Sequence, residues 1–237
     1  MYRNLIALLL LALGVAGCVA PAADGVVPSN VRLERIGTAG PHPFMPTMGT
    51  DELRVIPPPN SGRDVGGDLV GLYGAVSGTG SCHTGAMVDY LRAHPEVAIA
   101  WAAVARIAAA DIAAFMDDLT PAVLRSDTYV VSHQRAGDRV TGVPTVLQAG
   151  TAVLVDRFGS PVVRCLSGNP LTRPTRRPTG FAGQPWPHFS ATAITVITPA
   201  SGPVDRFTMV NLDTGDALDR PRGSDGDRDR PPSAQPR

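Results

Sequence analysis

From Leu119 to Pro170 the chain reads LTPAVLRSDTYVVSHQRAGDRVTGVPTVLQAGTAVLVDRFGSPVVRCLSGNP, its one long segment dense in β-branched residues with turn signals at regular intervals. Such residues suit a pleated, half-buried surface, so this block forms a sheet and the rest of the chain must be arranged around it. Val123 to His133 alternates into a strand, Arg135-Ala136-Gly137-Asp138 turns it, and Arg139 to Gln148 returns. Ala149-Gly150 breaks the run, Thr151 to Asp156 is a third strand, and Arg157-Phe158-Gly159-Ser160 is a hairpin loop into Pro161 to Leu166. The apolar run Thr151-Ala152-Val153-Leu154-Val155 reads as a central strand covered on both faces. After a Pro-rich link containing Trp186, two further strands are expected at Thr192 to Thr198 and Arg206 to Leu212.

Three short helices are expected before this block. His83 to Ala93 carries Met87, Val88 and Leu91 on one face. Pro95 suits the first position of a second helix, with Glu96 favourable to its N-terminal dipole and Val97, Trp101, Val104 and Ala108 on its buried side. Ile112, Phe115, Met116 and Leu119 follow an i, i+3, i+4, i+7 pattern, the signature of an amphipathic third helix. The predicted fold is α+β: three short N-terminal helices packed on a mostly antiparallel sheet of about six strands.

The first eighteen residues, MYRNLIALLLLALGVAGC, hold Arg3 and then an apolar run from Leu5 to Ala16. That is shorter than the roughly 20 residues of a spanning helix and fits the apolar region of a secretory signal. Val15-Ala16-Gly17-Cys18 has the form of a bacterial lipobox, in which the Cys sulfur receives diacylglycerol and the peptide is cut before it. Residues 1–17 are therefore expected as signal peptide and Cys18 as the lipidated first residue of the mature protein. Acyl chains contribute about 0.8 kcal/mol per buried CH₂, enough for two or three to hold a protein at a membrane. The chain is expected outside the cytoplasm, lipid-anchored to the cell membrane.

From Val19 to about Gly67 the sequence is rich in Pro and Gly, with Pro57-Pro58-Pro59 its stiffest point, and reads as a tether over 18–67. A flexible coil of about 45 residues would reach on the order of 35–40 Å. Pro41 to Met48 is unusually apolar for a linker, and Phe44 is expected to dock on the domain as an extended segment. The domain itself is placed at 68–223. Residues 224–237, rich in Asp, Arg and Pro, are expected as a disordered tail.

A family resemblance rests on Gly71-Leu72-Tyr73-Gly74, on Leu119-Thr120-Pro121-Ala122-Val123-Leu124-Arg125 with Asp127, and on His133. Its most specific motifs are Val146 to Asp156 (VLQAGTAVLVD), Val163-Arg164-Cys165 and Gly168-Asn169-Pro170-Leu171. The chain resembles an actinobacterial domain family of unknown function, found in secreted, lipid-anchored and membrane-tethered proteins, over roughly Gly71 to Gly223. It departs from that pattern at Ser167, where the family has a second Cys two residues after Cys165. The resemblance implies no activity.

With Cys18 lipidated, Cys82 and Cys165 remain as one pair in an oxidising compartment, where a disulfide is expected. The competing metal reading wants two close Cys plus His, and Ser167 leaves Cys165 alone at its end. A catalytic reading would use Cys82 as thiolate, His83 or His133 as base and Asp127 to orient it. A disulfide would consume that thiol, and no signature of a thiol enzyme surrounds it. G-x-S-x-G and phosphate-cradling loops are absent, and Asp117-Asp118 point about 100° apart on a helix. Arg125, Asp127 and His133 are candidate ligand contacts, with internal pairing as their structural alternative. Arg173, Arg176 and Arg177 form a small basic cluster that could touch an anionic envelope polymer or lipid headgroups, or be a solvated loop.

Net charge is zero with 21 basic residues, all of them Arg, and aromatic content is 5%, which argues against nucleic acid as partner. No catalytic residue, metal ligand or cofactor is assigned. The expected function is a non-enzymatic envelope module binding a protein or cell-wall ligand, the alternative being an envelope hydrolase or transferase with an unrecognised site.

Overall fold

A computed structural model describes residues 30–58, 61–76 and 81–232. The signal peptide and Cys18 lie outside the described residues. Thirteen strands and three α-helices follow in chain order: β1 (Asn30–Glu34), β2 (Asp64–Gly66), β3 (Tyr73–Ala75), α1 (Thr84–Ala93), α2 (Pro95–Ala105), α3 (Ile112–Asp117), β4 (Thr120–Leu124), β5 (Thr128–Ala136), β6 (Arg139–Leu147), β7 (Ala152–Val155), β8 (Pro161–Arg164), β9 (Asn169–Thr172), β10 (Gly180–Ala182), β11 (Val196–Thr198), β12 (Arg206–Asn211) and β13 (Ala217–Pro221). Eleven of the strands form one mixed sheet in the order β10-β1-β6-β5-β9-β8-β7-β4-β3-β12-β13, and β11 pairs with β2 beside it.

This corrects the expectation of an α+β fold with three N-terminal helices on about six strands. The molecule is mostly β, and three strands precede the first helix. The reason is physical. Strands of three residues, such as β2, β3 and β10, are too short to show a period of two, and they are held by partners far away in sequence. The strand expected over Val123 to His133 is in fact two. Arg125 to Asp127 form the corner between β4, which lies beside β7, and β5, which lies beside β6.

The antiparallel centre follows the sequence pattern closely. β5 and β6 pair as a hairpin from Thr128↔Leu147 to Ala136↔Arg139, turning at Gly137 with φ +61°. β7 is fully buried, as a strand covered on both faces must be. Ala152 and Leu154 face one cluster, with Trp101, Met87, Leu91 and Met116 from the helices. Val153 and Val155 face a second, with Tyr73, Leu124, Phe207 and Met209. A third cluster, around Val31, Tyr129, Val146 and Trp186, lies under the other half of the sheet. Helix α2 is pinned to the sheet as well as packed on it, because the Trp101 indole N–H donates to the Gly168 carbonyl at 3.0 Å.

Residues 30–52, assigned to the tether on composition, are built into the domain. β1 lies between β6 and β10, parallel to both, in the registers Leu33↔Val146 and Val31↔Phe181. Phe44 and Met45 are buried in the helical cluster, so the expected docking of Phe44 is observed. The chain then crosses the helix–sheet boundary at Gly49, where an added Cβ would lie 2.7 Å from the Cys165 Cβ. At the other end, the segment from Ser224 folds back as far as Arg230. Asp229 accepts from Arg220 Nε at 2.8 Å and from its terminal nitrogen at 2.6 Å, and Asp219 and Arg230 form a backbone bridge.

One buried charge ties these parts together. Arg164 of β8 is 0% exposed; its guanidinium donates to Glu34 at 2.5 Å and to the Thr38 carbonyl at 2.5 Å, with Asp51 at 3.9 Å. Burial raises the Glu34 carboxyl above its ordinary value, opposed by the nearby Arg164 and Arg32. Truncating one partner of such a pair strands the other charge in the interior, which costs about 3–5 kcal/mol. Arg164→Ala is therefore expected to lower unfolding free energy by that amount in urea titration. Arg92→Ala, which removes an exposed pair with Asp89, is expected to change it by less than about 1 kcal/mol.

Candidate functional site

The polar residues picked out by the sequence occupy two separate places in the sheet. Arg125 and Asp127 stand at the corner between β4 and β5. Arg125 donates to the Gly71 carbonyl at 2.6 Å, its buried Nε has no partner among the described residues, and burial lowers its proton affinity. Asp127 is 8% exposed, and its two carboxylate oxygens have separate tasks. Oδ1 accepts from the Ala149 backbone N–H at 2.9 Å and Oδ2 from the Trp186 indole N–H at 3.0 Å. Burial raises the Asp127 carboxyl, and these two hydrogen bonds pull it back. A carboxylate used in this way is a bracket: it joins the turn after β6 to the link that follows β10.

His133 sits in mid-strand on β5, opposite Gly142, where an added Cβ would meet its ring at 3.2 Å. Its Nε2 is hydrogen-bonded to the Thr172 hydroxyl of β9 at 3.0 Å, and burial lowers its affinity for a proton. Cys82 is bonded to Cys165 with the two Cα atoms 5.2 Å apart. The bond ties the segment before α1 to the turn after β8, inside the helical cluster. It leaves no thiolate for His83 or His133 to activate. Ser167, where the resembled family carries a Cys, is fully buried; its carbonyl accepts from the Met45 N–H at 3.0 Å.

Two concave regions stand apart from these residues. One, of about 430 Å³, lies among the helices and is walled by Val88, Leu91, Pro95, Ala98, Ile99 and Ile112. The other, of about 670 Å³, is lined by Asp111, Phe115, Asp118, Asp156, Arg157 and Phe158. Burial raises the Asp156 carboxyl and the nearby Asp118 adds to this, while the backbone N–H groups of Ser160 and Phe158 donate to it and oppose the shift. Two carboxyls side by side, one of them holding its proton more tightly than usual, have the form of an acid–base pair. Asp118, however, lies 3.5 Å from the Arg222 guanidinium, and among the described residues no His, Cys or Ser lines the cleft. Sequence reasoning had set Asp118 aside with Asp117, because adjacent helical positions diverge. Its actual neighbour is Asp156 from the β7–β8 turn, which no local pattern could reveal. Among the described residues no group of three or more His, Cys, Asp and Glu is placed to hold a metal ion.

Comparison with known families brings one match. The family model for a domain of unknown function, DUF6777, covers residues 63–223, and the chain belongs to this family. Comparisons with curated proteins and with solved structures find no match.

Two outcomes test this account. Cross-linking residues 83 apart gives a chain-entropy contribution of about 4–5 kcal/mol. The double replacement Cys82→Ser/Cys165→Ser is expected to lose up to that amount, and thiol labelling under denaturing, non-reducing conditions should find neither Cys free in the parent. His133 has its proton affinity lowered from the ordinary 6.5, so the unfolded chain binds a proton more readily than the folded one. Stability from this group is complete above pH 6.5 and is lost as pH falls towards the folded value. Urea titrations near pH ~7.5 and ~5.5 should show a gap between parent and His133→Asn that narrows on the acid side. A gap that does not change with pH would mean the ring does not titrate differently in the two states.

Proposed function

We propose that this protein is a membrane-anchored extracytoplasmic lipoprotein whose domain is a non-enzymatic binding or interaction module of the cell envelope. One structural observation carries the non-enzymatic part. The residues best suited by type to chemistry are used to hold the fold: Cys82 in a disulfide, Asp127 between Ala149 and Trp186, and His133 on Thr172. Export is supported by the lipobox-like Val15-Ala16-Gly17-Cys18 after a short apolar run. The Cys82–Cys165 bond agrees with it, because structural disulfides persist in oxidising compartments and are rare in the cytosol. The actinobacterial setting is part of the same proposal and rests on the sequence motifs alone.

The expected outcome is incorporation of radiolabelled fatty acid into the parent and its loss in Cys18→Ala, with the variant no longer retained in the membrane fraction. Crosslinking in intact envelopes, followed by recovery of the protein, should bring down a partner protein or a cell-wall fragment. Recovery of neither would count against the binding role while leaving the anchor result standing.

A further inference from the structure

We propose that the loop carrying Arg173, Arg176 and Arg177, together with the β10 edge it leads into, is the face the domain presents to an anionic lipid surface. Placement of the chain's entry point is the first observation. Gly180, which ends this loop, is the register partner of Asn30, the first described residue. Eleven residues lie between Cys18 and Asn30, a length of chain that can span at most about 40 Å, far less than the full 18–67 stretch could. The domain edge nearest that entry is the β10–β1 edge.

Charge is the second observation. From Arg157 to Val204 the chain holds five Arg and no Asp or Glu. From Asp205 to Asp229 it holds seven Asp and four Arg, and these residues include β12 and β13, at the opposite end of the strand order from β10. Of the five Arg before Val204, Arg164 is buried against Glu34 and Arg157 lies in the β7–β8 turn, so the loop before β10 holds three Arg and no acid of its own, while the segment of β12 and β13 is acidic. Arg173, Arg176 and Arg177 are all exposed. Arg177 pairs with the exposed Asp64, whereas no hydrogen bond or ion pair engages Arg173 or Arg176 among the described residues. Buried Pro174 anchors the loop, and Pro178 stiffens it, so the guanidinium groups are presented at little entropic cost. Next to them, Phe181 on β10 and Phe189 are half-buried and stacked edge to face at 5.3 Å. These two rings also pack on the cluster around Trp186, which holds the β10 edge firmly to the domain.

This inference rests on the lipid-anchor reading, and the experiment separates the two. Arg173–Pro174 and Arg177–Pro178 resist trypsin, which does not cut before Pro, so Arg176–Arg177 is the one cleavable bond of the loop. The full chain, made in a host that processes lipoproteins, is reconstituted on phosphatidylcholine vesicles with or without roughly one-third phosphatidylglycerol, an anionic leaflet of the kind that attracts basic segments. Flotation with the neutral vesicles in about 1 M salt, where screening is complete within about 3 Å, reads the anchor alone. Each unpaired Arg near an anionic surface is expected to tighten contact about fivefold, so cleavage at Arg176–Arg177 should slow by roughly 25-fold on the anionic vesicles at low salt. High salt should abolish the difference, and Arg173→Gln should reduce it about fivefold. Equal cleavage rates on both vesicles overturn the proposal. If the chain fails to float with neutral vesicles, the anchor reading falls. Flotation on anionic vesicles at low salt then decides the basic face: salt-sensitive flotation lost in Arg173→Gln/Arg176→Gln supports it, and no flotation overturns it.

Discussion

Arg164 is the residue on which the architecture turns. A guanidinium with 0% exposure cannot be left unpaired, since the desolvation penalty is several kcal/mol even after relaxation. Its partners come from one stretch far away in sequence: Glu34, the Arg35 and Thr38 carbonyls, and Asp51. The next residue is Cys165, whose disulfide reaches Cys82. Two consecutive residues at the end of β8 thus gather the N-terminal strap and the helical layer onto the same point of the sheet. Replacing such a pair by apolar residues can be neutral in energy, so its value here lies in specifying one arrangement. An apolar substitute at Arg164 would not select Glu34 and the carbonyls beyond it.

The central sheet was legible because its signals are local. The turn over Arg135-Ala136-Gly137-Asp138, the Ala149-Gly150 break and the apolar run Thr151–Val155 each imply their structure from neighbouring residues alone; a β5–β6 hairpin and a buried β7 are present, with β5 beginning at Thr128 and running on to Ala136 rather than spanning Val123 to His133. The helices were legible for the same reason, with Pro95 at the start of α2. What could not be read was pairing between distant segments. Val31-Arg32-Leu33-Glu34 has the alternation of a strand, but four residues inside a Pro/Gly-rich stretch are outweighed by their surroundings. The parallel pairing of β1 with β6 crosses over one hundred residues, and nothing in either segment announces the other.

The candidate residues show the same division. Arg125, Asp127 and His133 stood out because charged and imidazole groups within strand sequence need a reason. The structure supplies internal reasons for each, and it does not bring the three into one pocket. Asp127 illustrates why the sequence could not decide. Its type suits a binding residue, and only the arrival of Trp186, 59 positions later, completes its use as a structural acceptor. Conversely, the Asp118–Asp156 neighbourhood exists only because α3 ends beside the β7–β8 turn.

How, then, does a Pro/Gly-rich strap hold its place with so little side-chain bulk? Several of its backbone N–H groups are met by acceptors from the sheet, and one by its own Asp51. Ile36 donates to the Gln148 side chain, Gly37 to Asp51, Phe44 to Asn169, Met45 to the Ser167 carbonyl and Glu52 to the Gly150 carbonyl. Asp51 works in both directions, because its other oxygen accepts from Ala152 at the start of β7. Each such bond is worth only about 1 kcal/mol net, yet an unmet buried donor would cost as much or more. Composition counts apolar mass and breakers, so it misjudges a segment stabilised by satisfied backbone groups and two apolar anchors, Phe44 and Met45. The matched family region begins at residue 63, but the edge of β6 and the acids around Arg164 are completed by residues before it. The folded unit therefore starts at the strap, and a domain cut at the family boundary would leave β6 with an open edge and Arg164 without its carboxylates.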